Sequence, residues 1–391
     1  MKQTDFNHLL DLVEPSRSVM LLAKVRKLQE TDPTICNLTG GEPDFDTPKP
    51  ICDEVYRQLL SGCTHYSDSK GDPGLRQALA RKLKEENKAP YPPDQILITP
   101  GGKYAVYLAV QALLNPGDEA LWLTPGWVSY PAIITLCGGV PVPVRLDRNT
   151  DYRITKAQLE AKTTEKTRLL IINYPNNPTG QILSEPELAE LKSYLSAHPG
   201  IYCISDEIYE KILYDNARFL SPAGDPELFD RIITINGFSK AYAMTGWRIG
   251  YLACCAELYG RIQKIFQHSM SCTSAFIQKG AIKALQLPEE TERMRSAYER
   301  RRNRICEGLR DVPHLQFKAP RGSFYLWVCF DTAMGSEQLC EQLLEKAGIG
   351  GIPGSAFGVE EDCMVRFCFA QDDETIDRFI DRLGRFCRER L

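Results

Sequence analysis

Short apolar runs alternate with helical patterns through the middle of this chain. Gln95 to Thr99 (QILIT) reads as a strand, Pro100-Gly101-Gly102 as a turn, and Lys103 to Leu114 as a helix stopped by Asn115-Pro116-Gly117. Ala120 to Thr124 is the next strand, followed by the loop PGWVSYP. Arg168 to Asn173 (RLLIIN) reads as a buried strand and leads into the turn-rich YPNNPTG. Ile201 to Ser205 runs into Asp206-Glu207, Arg231 to Asn236 runs into Gly237-Phe238-Ser239-Lys240, and Arg248 to Ala253 forms a further strand. Strands separated by helical stretches predict an α/β fold on a mostly parallel sheet.

The two ends follow a different pattern. Residues 1–45 hold one helical stretch and a Gly-Pro-rich segment. From residue 285 onward a long charged helix (PEETERMRSAYERRRNRICEGL) precedes strands around Phe324–Val328 and Val365–Phe369, and an amphipathic helix closes the chain. The expectation is a large central domain over 46–284 and a smaller α+β domain assembled from 1–45 and 285–391.

Composition narrows the function classes. With 43% hydrophobic and 25% charged residues, the 391-residue chain is ordinary for a globular protein with a large core. A net charge of -4 gives no basic surface for nucleic acid. The N-terminal stretch lacks the apolar run of a signal peptide, and no run approaches the ~18 residues of a membrane span. A cytoplasmic protein is expected, with most of its 14 scattered cysteines serving as small buried hydrophobes. The five histidines are dispersed without metal-ligand spacing, so no metal is expected.

In a doubly wound sheet, ligands bind beyond the carboxyl ends of the strands. Gly101-Gly102, Trp127, Asn177, Asp206 with Tyr209, and Ser239-Lys240 each follow a separate expected strand, so five polar clusters fall on one edge. Each has an alternative reading. The glycine pair opens a helix and could bind phosphate through free amides, or be a plain turn. Lys103 in the first helical turn opposes the macrodipole by ~0.3–1 kcal/mol unless an anion lies nearby. Asp206 is either a partly buried carboxylate awaiting a cation or a helix N-cap. Lys240 is either a desolvated nucleophile or an exposed lysine. Arg248 could fork onto a phosphate or face solvent. Arg366, flanked by apolar residues in MVRFCFA, needs an anion, from a substrate or from an internal salt bridge. Trp127 could be core or could stack on an aromatic ligand.

The segment SKAYAMTGWRIGY, residues 239–251, resembles the cofactor-lysine segment of class I/II aminotransferases, pyridoxal 5'-phosphate (PLP) enzymes of fold type I. LTGGEPDFDTP (38–48), HYSDSKGDPGLRQAL (65–79), PGGK, PGWVSYP, NYPNNPTG, SDEIY and VRF follow in family order over most of the chain, most like bacterial aspartate aminotransferases. The resemblance implies a PLP-transferase fold and a homodimer with shared sites. It implies that Lys240 carries PLP as a Schiff base and serves as general base, that Asp206 pairs with the pyridine nitrogen, and that Tyr209 and Asn177 contact the 3' oxygen. It implies that Trp127 stacks on the ring and that Gly102, Lys103, Ser239 and Arg248 hold the phosphate, joined by Tyr66 from the neighbouring subunit. Arg366 would grip the substrate α-carboxylate with Asn177 and the backbone of Gly41, and Lys103 would recognise a distal carboxylate, favouring aspartate or glutamate. Ala241-Tyr242-Ala243 is a mild departure from the pattern of prephenate-capable members, while Met270 and Tyr104 weigh against prephenate.

The expected activity is ping-pong transfer of an amino group between an L-amino acid and a 2-oxo acid. The alternative on the same fold is a PLP-dependent lyase of the β-elimination type, which would use the same cofactor residues. A non-catalytic PLP-binding regulator would carry a DNA-binding module, for which the segment before residue 38 is too short.

Overall fold

A computed structural model describes residues 7–391, so the first six residues of the expected 1–45 segment lie outside the described residues. Among the described residues, thirteen strands form three sheets. In chain order they are β1 (Cys36–Asn37), β2 (Ile96–Thr99), β3 (Glu119–Thr124), β4 (Val140–Arg145), β5 (Thr167–Asn173), β6 (Tyr202–Asp206) and β7 (Ile232–Gly237). There follow β8 (Gly250–Ala253), β9 (Leu315–Phe317), β10 (Tyr325–Phe330), β11 (Ile349–Gly350), β12 (Ile352–Pro353) and β13 (Met364–Cys368).

The large sheet has the order β2-β8-β7-β6-β5-β3-β4. Only β8 runs against its neighbours, so the carboxyl ends of the other six strands share one edge. The side chains alternate between two cores. Ile96, Ile98, Leu121, Leu123, Leu170 and Ile172 pack on one face. Leu97, Ala120, Trp122, Leu169 and Ile171 pack on the other. Burial on both faces explains why these strands read as continuous apolar runs rather than as alternating ones.

The second sheet, β12-β13-β10-β9, is antiparallel, and β1 pairs in parallel with β11. That pairing joins a segment near the N-terminus to one near the C-terminus. The long charged helix spans Pro288–Leu309, and the closing helix spans Asp373–Arg390.

Three local readings change. The closing residues of PGWVSYP are the start of a helix, Ser129–Leu136, rather than loop. Arg248 lies outside β8 with φ 54°, so it is a loop residue and not a strand residue. Strand β4 (VPVPVR) has no counterpart in the sequence reading, because Pro141 and Pro143 argue against a strand. Proline is tolerated there because β4 is the sheet edge.

Candidate active site

The carboxyl edge of the large sheet opens into a cavity of about 410 Å³. It is lined by Gly41, Gly102, Lys103, Trp127, Asn177, Asp206, Tyr209, Ser239, Lys240, Arg248 and Arg366. These residues come from the carboxyl ends of five different strands, from the loop before β8, from the loop after β1 and from β13. Tyr66 is the one residue of the expected set not among them; it is 92% exposed.

Asp206 ends β6 and is buried. Tyr130 donates to its Oδ2 at 2.8 Å, and the Ile208 amide donates to Oδ1 at 3.3 Å. Burial raises the carboxyl from 3.8 to about 6, against the opposing effect of these hydrogen bonds and of Lys240. Asn173, at the end of β5, ties this strand end to the next loop: its Nδ2 donates to the Asp206 carbonyl at 2.9 Å, and its Oδ1 accepts from the Asn177 amide at 3.0 Å.

Lys240 follows β7 and donates to the Gly41 carbonyl. Burial lowers its ammonium from 10.5 to about 8, and the Arg366 and Arg248 charges push the same way. A neutral amine is therefore reachable near physiological pH.

Arg366 is buried in the middle of β13. Its Nη1 donates to Asn177 Oδ1 at 3.0 Å, and its Nη2 donates to the carbonyls of Thr39 at 2.7 Å and Gly40 at 3.1 Å. Its Nε is buried without a partner. No internal carboxylate pairs with this arginine among the described residues, so the salt-bridge alternative for it drops out.

The phosphate-binding expectation rests on backbone geometry. Gly101 has φ +89°, and a Cβ there would lie 2.5 Å from Arg248 Nη2. A Cβ on Gly250 would lie 2.7 Å from the Gly102 amide nitrogen. Glycine at both positions lets β8 and the arginine close on the start of the helix Gly102–Leu113, whose first amides are free. Arg248 Nη1 donates to the Thr245 carbonyl at 2.8 Å. The Lys103 ammonium lies 4.9 Å from the centre of the Trp127 ring.

The charge balance of the cavity identifies its ligand class. Lys103, Lys240, Arg248 and Arg366 line it against a single carboxylate, Asp206. The partners these cations have are carbonyls, an amide oxygen and aromatic rings. A ligand with separated anionic groups and a cationic or protonated centre for Asp206 satisfies every one of these groups. Pyridoxal 5'-phosphate with a bound amino acid has that pattern, and the orphaned Arg366 Nε fits a carboxylate.

Several lining residues escaped the sequence reading: Tyr130, Asn173, Tyr325, and Ser16 and Ser18 at the start of the helix Arg17–Gln29. Asn173 carried a signal, a polar residue ending an apolar strand at the ligand edge. The tyrosines carried none, since a buried tyrosine is ordinarily core.

Comparison with known proteins agrees with this geometry. The family profile for aminotransferase class I and II matches residues 33–383. An aspartate aminotransferase of Musicola paradisiaca is 40% identical over 378 residues, covering 96% of this chain and 94% of that protein. A probable aspartate/prephenate aminotransferase of Aquifex aeolicus is 38% identical over 385 residues, covering 96% of this chain and 97% of its own. The structure of aspartate aminotransferase from Thermus thermophilus with maleate superposes with a TM-score of 0.92 at 34% identity, covering 98% of this chain and all of that one (100%). The chain belongs to the class I and II aminotransferases, pyridoxal-phosphate-dependent enzymes of fold type I.

Proposed function

We propose that this aminotransferase acts on dicarboxylic L-amino acids, aspartate or glutamate first, with Lys240 as cofactor lysine and general base. The observation that carries the reading is the excess of cations in the cavity over its one carboxylate. The relatives described above are aminotransferases named for aspartate, one of them also for prephenate, and the Thermus structure holds maleate, a dicarboxylate. The elimination reading has no support among them.

The cofactor supplies an aldehyde for the amine and a ring that takes up the electron pair left on Cα. The protein's part is binding, orientation and proton movement. Arg366 and Asn177 would hold the α-carboxylate, and that grip would orient the Cα bonds so that proton loss is favoured over decarboxylation. Lys240, reachable as a neutral amine near neutrality, would be the group that accepts and holds the Cα proton at its Nζ. Asp206 keeps the ring nitrogen protonated, with its carboxylate held in place by Tyr130. Tyr209 and Asn177 would donate to the ring oxygen, and Trp127 would pack against the ring. The amides of Gly102 and Lys103, with Ser239 and Arg248, hold the phosphate. The Lys103 ammonium, in the same cavity that Ser16 and Ser18 line, would meet the distal carboxylate.

We further propose a homodimer in which Tyr66 reaches the phosphate of the other subunit; its near-complete exposure in one chain suits that role. We also propose that residues 1–45 and 285–391 act as the small domain against 46–284. All fourteen cysteines are free thiols, which favours a reducing, cytoplasmic setting. No helix among the described residues is long and apolar enough to cross a membrane.

A donor panel with 2-oxoglutarate as acceptor tests the substrate assignment. The expected result is a kcat/KM for L-aspartate at least about tenfold above those for L-alanine and L-phenylalanine, with Lys103→Ala narrowing the gap, since one charged contact is worth about 1.5–3 kcal/mol. A preference for an aromatic donor would overturn it.

A further inference from the structure

Tyr325 opens β10 and is 1% exposed, yet it lines the cavity. In the β10–β13 pair, Tyr325 lies opposite Cys368, and Trp327 lies opposite Arg366. Tyr325 and Arg366 are therefore diagonal neighbours on one face of the sheet. The Arg366 guanidinium carbon stands 4.3 Å from the centre of the Tyr325 ring. The Tyr325 hydroxyl lies 2.7 Å from the Tyr209 hydroxyl. It also faces Gly41, where a Cβ would approach it to 3.1 Å. One side chain thus touches the arginine at the substrate end of the site, the tyrosine at the cofactor end, and the loop whose carbonyl accepts from Lys240.

The direction of the hydroxyl pair follows from its surroundings. A cation on the face of the Tyr325 ring draws electron density from the phenol and makes Tyr325 the better donor. Tyr209 then accepts from Tyr325 and keeps its own hydrogen free for the cavity. A hydroxyl that accepts one hydrogen bond donates a stronger one.

We propose that Tyr325 is a positioning residue with two separable functions: its hydroxyl donates to Tyr209 and strengthens Tyr209 as a donor to the cofactor ring oxygen, and its ring seats Arg366 for the substrate carboxylate. The inference rests on the functional reading above, in which Tyr209 meets the ring oxygen and Arg366 meets the carboxylate.

The test uses the PLP-loaded enzyme. The first readout is the pH midpoint of its visible absorption. Tyr325→Phe removes only the hydroxyl. Tyr209 then competes less well for the ring oxygen, the proton shared between that oxygen and Lys240 Nζ is held more tightly, and the midpoint moves up by about 0.5 unit. The second readout is the dissociation constant of succinate, a dicarboxylate without a reactive amine, followed through the same band. Tyr325→Leu removes the ring as well, and its constant rises about tenfold over that of Tyr325→Phe. An unchanged midpoint in Tyr325→Phe, or equal succinate constants in the two variants, would overturn the corresponding function of Tyr325. Because Tyr325→Phe preserves the packing, it decides the hydroxyl function even where Tyr325→Leu does not fold. Failure of the underlying reading looks different: the wild-type enzyme itself would then show no visible band with PLP, or no response to succinate.

Discussion

Lys240 holds the most costly position in the site. In an unfolded chain a lysine titrates near 10.5, whereas burial brings this one to about 8. Between those values the unfolded chain carries the extra proton, so stability rises with pH through that window, and below it the folded protein bears a buried ammonium. Lys240→Met in the PLP-free protein is therefore expected to be more stable than wild type at pH 7, by about 0.5–2 kcal/mol, while transamination is abolished. Thermal unfolding at pH 7 and at pH 9.5 checks this, with the advantage shrinking at the higher pH. A variant that is less stable at pH 7, or that keeps near-normal turnover, would contradict the assignment. Arg366 was legible in the sequence because a charge set among apolar residues demands a reason, and Lys240 because the segment around it, SKAYAMTGWRIGY, resembles the family's cofactor-lysine segment. Tyr130 and Tyr325 were not, because what distinguishes them is a neighbour from a distant part of the chain: Asp206 for one, Tyr209 and Arg366 for the other.

At the scale of elements, the segment after β6 has to hold Asp206 and Tyr209 still, and a buried polar cluster behind it does so. Lys82 donates to Glu210 and, at 2.9 Å, to Asn87 Oδ1. Asn87 Nδ2 in turn donates to Glu210 at 2.7 Å and to Glu207 at 3.1 Å. Glu207 also accepts from Ser205 at 3.0 Å and from Ser221 at 2.6 Å. The two carboxylates divide one charge. Burial, and then Glu210, raise Glu207 from 4.5 to about 8. Glu210 is held below the usual glutamate value by Lys82 and Lys211 despite the opposing effect of burial. The sequence reading marked Asp206 and passed over Glu207 and Glu210, since a DE pair after a strand gives no hint that both carboxylates turn inward.

The variants should differ accordingly. Glu210→Gln takes from Lys82 its buried carboxylate partner, leaving the more distant Glu86 at 3.8 Å, and should cost about 3 kcal/mol. Glu207→Gln keeps an amide where a protonated acid stood and should cost under about 1 kcal/mol. Glu207 holds its proton in the folded state from about pH 4.5 to 8, so it withdraws stability as pH rises through that window, and Glu207→Gln should flatten this slope. Urea unfolding of both variants at pH 6 and pH 8.5 measures each effect; equal costs would refute the division of charge. Strand ends in the sequence reading fell within a residue or two of those observed. The omission of β4 had a physical cause, edge prolines whose cost depends on a place in the sheet that no local pattern records.

For the whole molecule, the segment that carries Gly41 links the large sheet, through Lys240, to the β12-β13-β10-β9 sheet, through Arg366. Arg301 in the long helix Pro288–Leu309 binds Asp44 at 2.9 Å and Asp373 at 3.3 Å. Phe45 sits between Arg293 and Arg301, with ring-to-guanidinium distances of 5.3 and 5.2 Å. The site therefore needs both ends of the chain in place, in keeping with the pattern of elements, which puts 1–45 and 285–391 in one smaller domain. It also needs a second copy on the proposed account. Sedimentation should give twice the 44.1 kDa chain mass, and Tyr66→Phe should keep that mass while weakening PLP binding by about tenfold. A fully active monomer would contradict the shared site.

The central claim is that this chain moves an amino group by way of Lys240, with dicarboxylic substrates. It is tested most directly by the visible spectrum of the PLP-loaded enzyme as L-aspartate or L-glutamate is added with no 2-oxo acid present. The account predicts that the visible band gives way to that of the amine form of the cofactor, that 2-oxoglutarate or oxaloacetate restores it, and that Lys240→Ala shows neither change. A band that persists with both donors, or one that changes while ammonia is released, would contradict it.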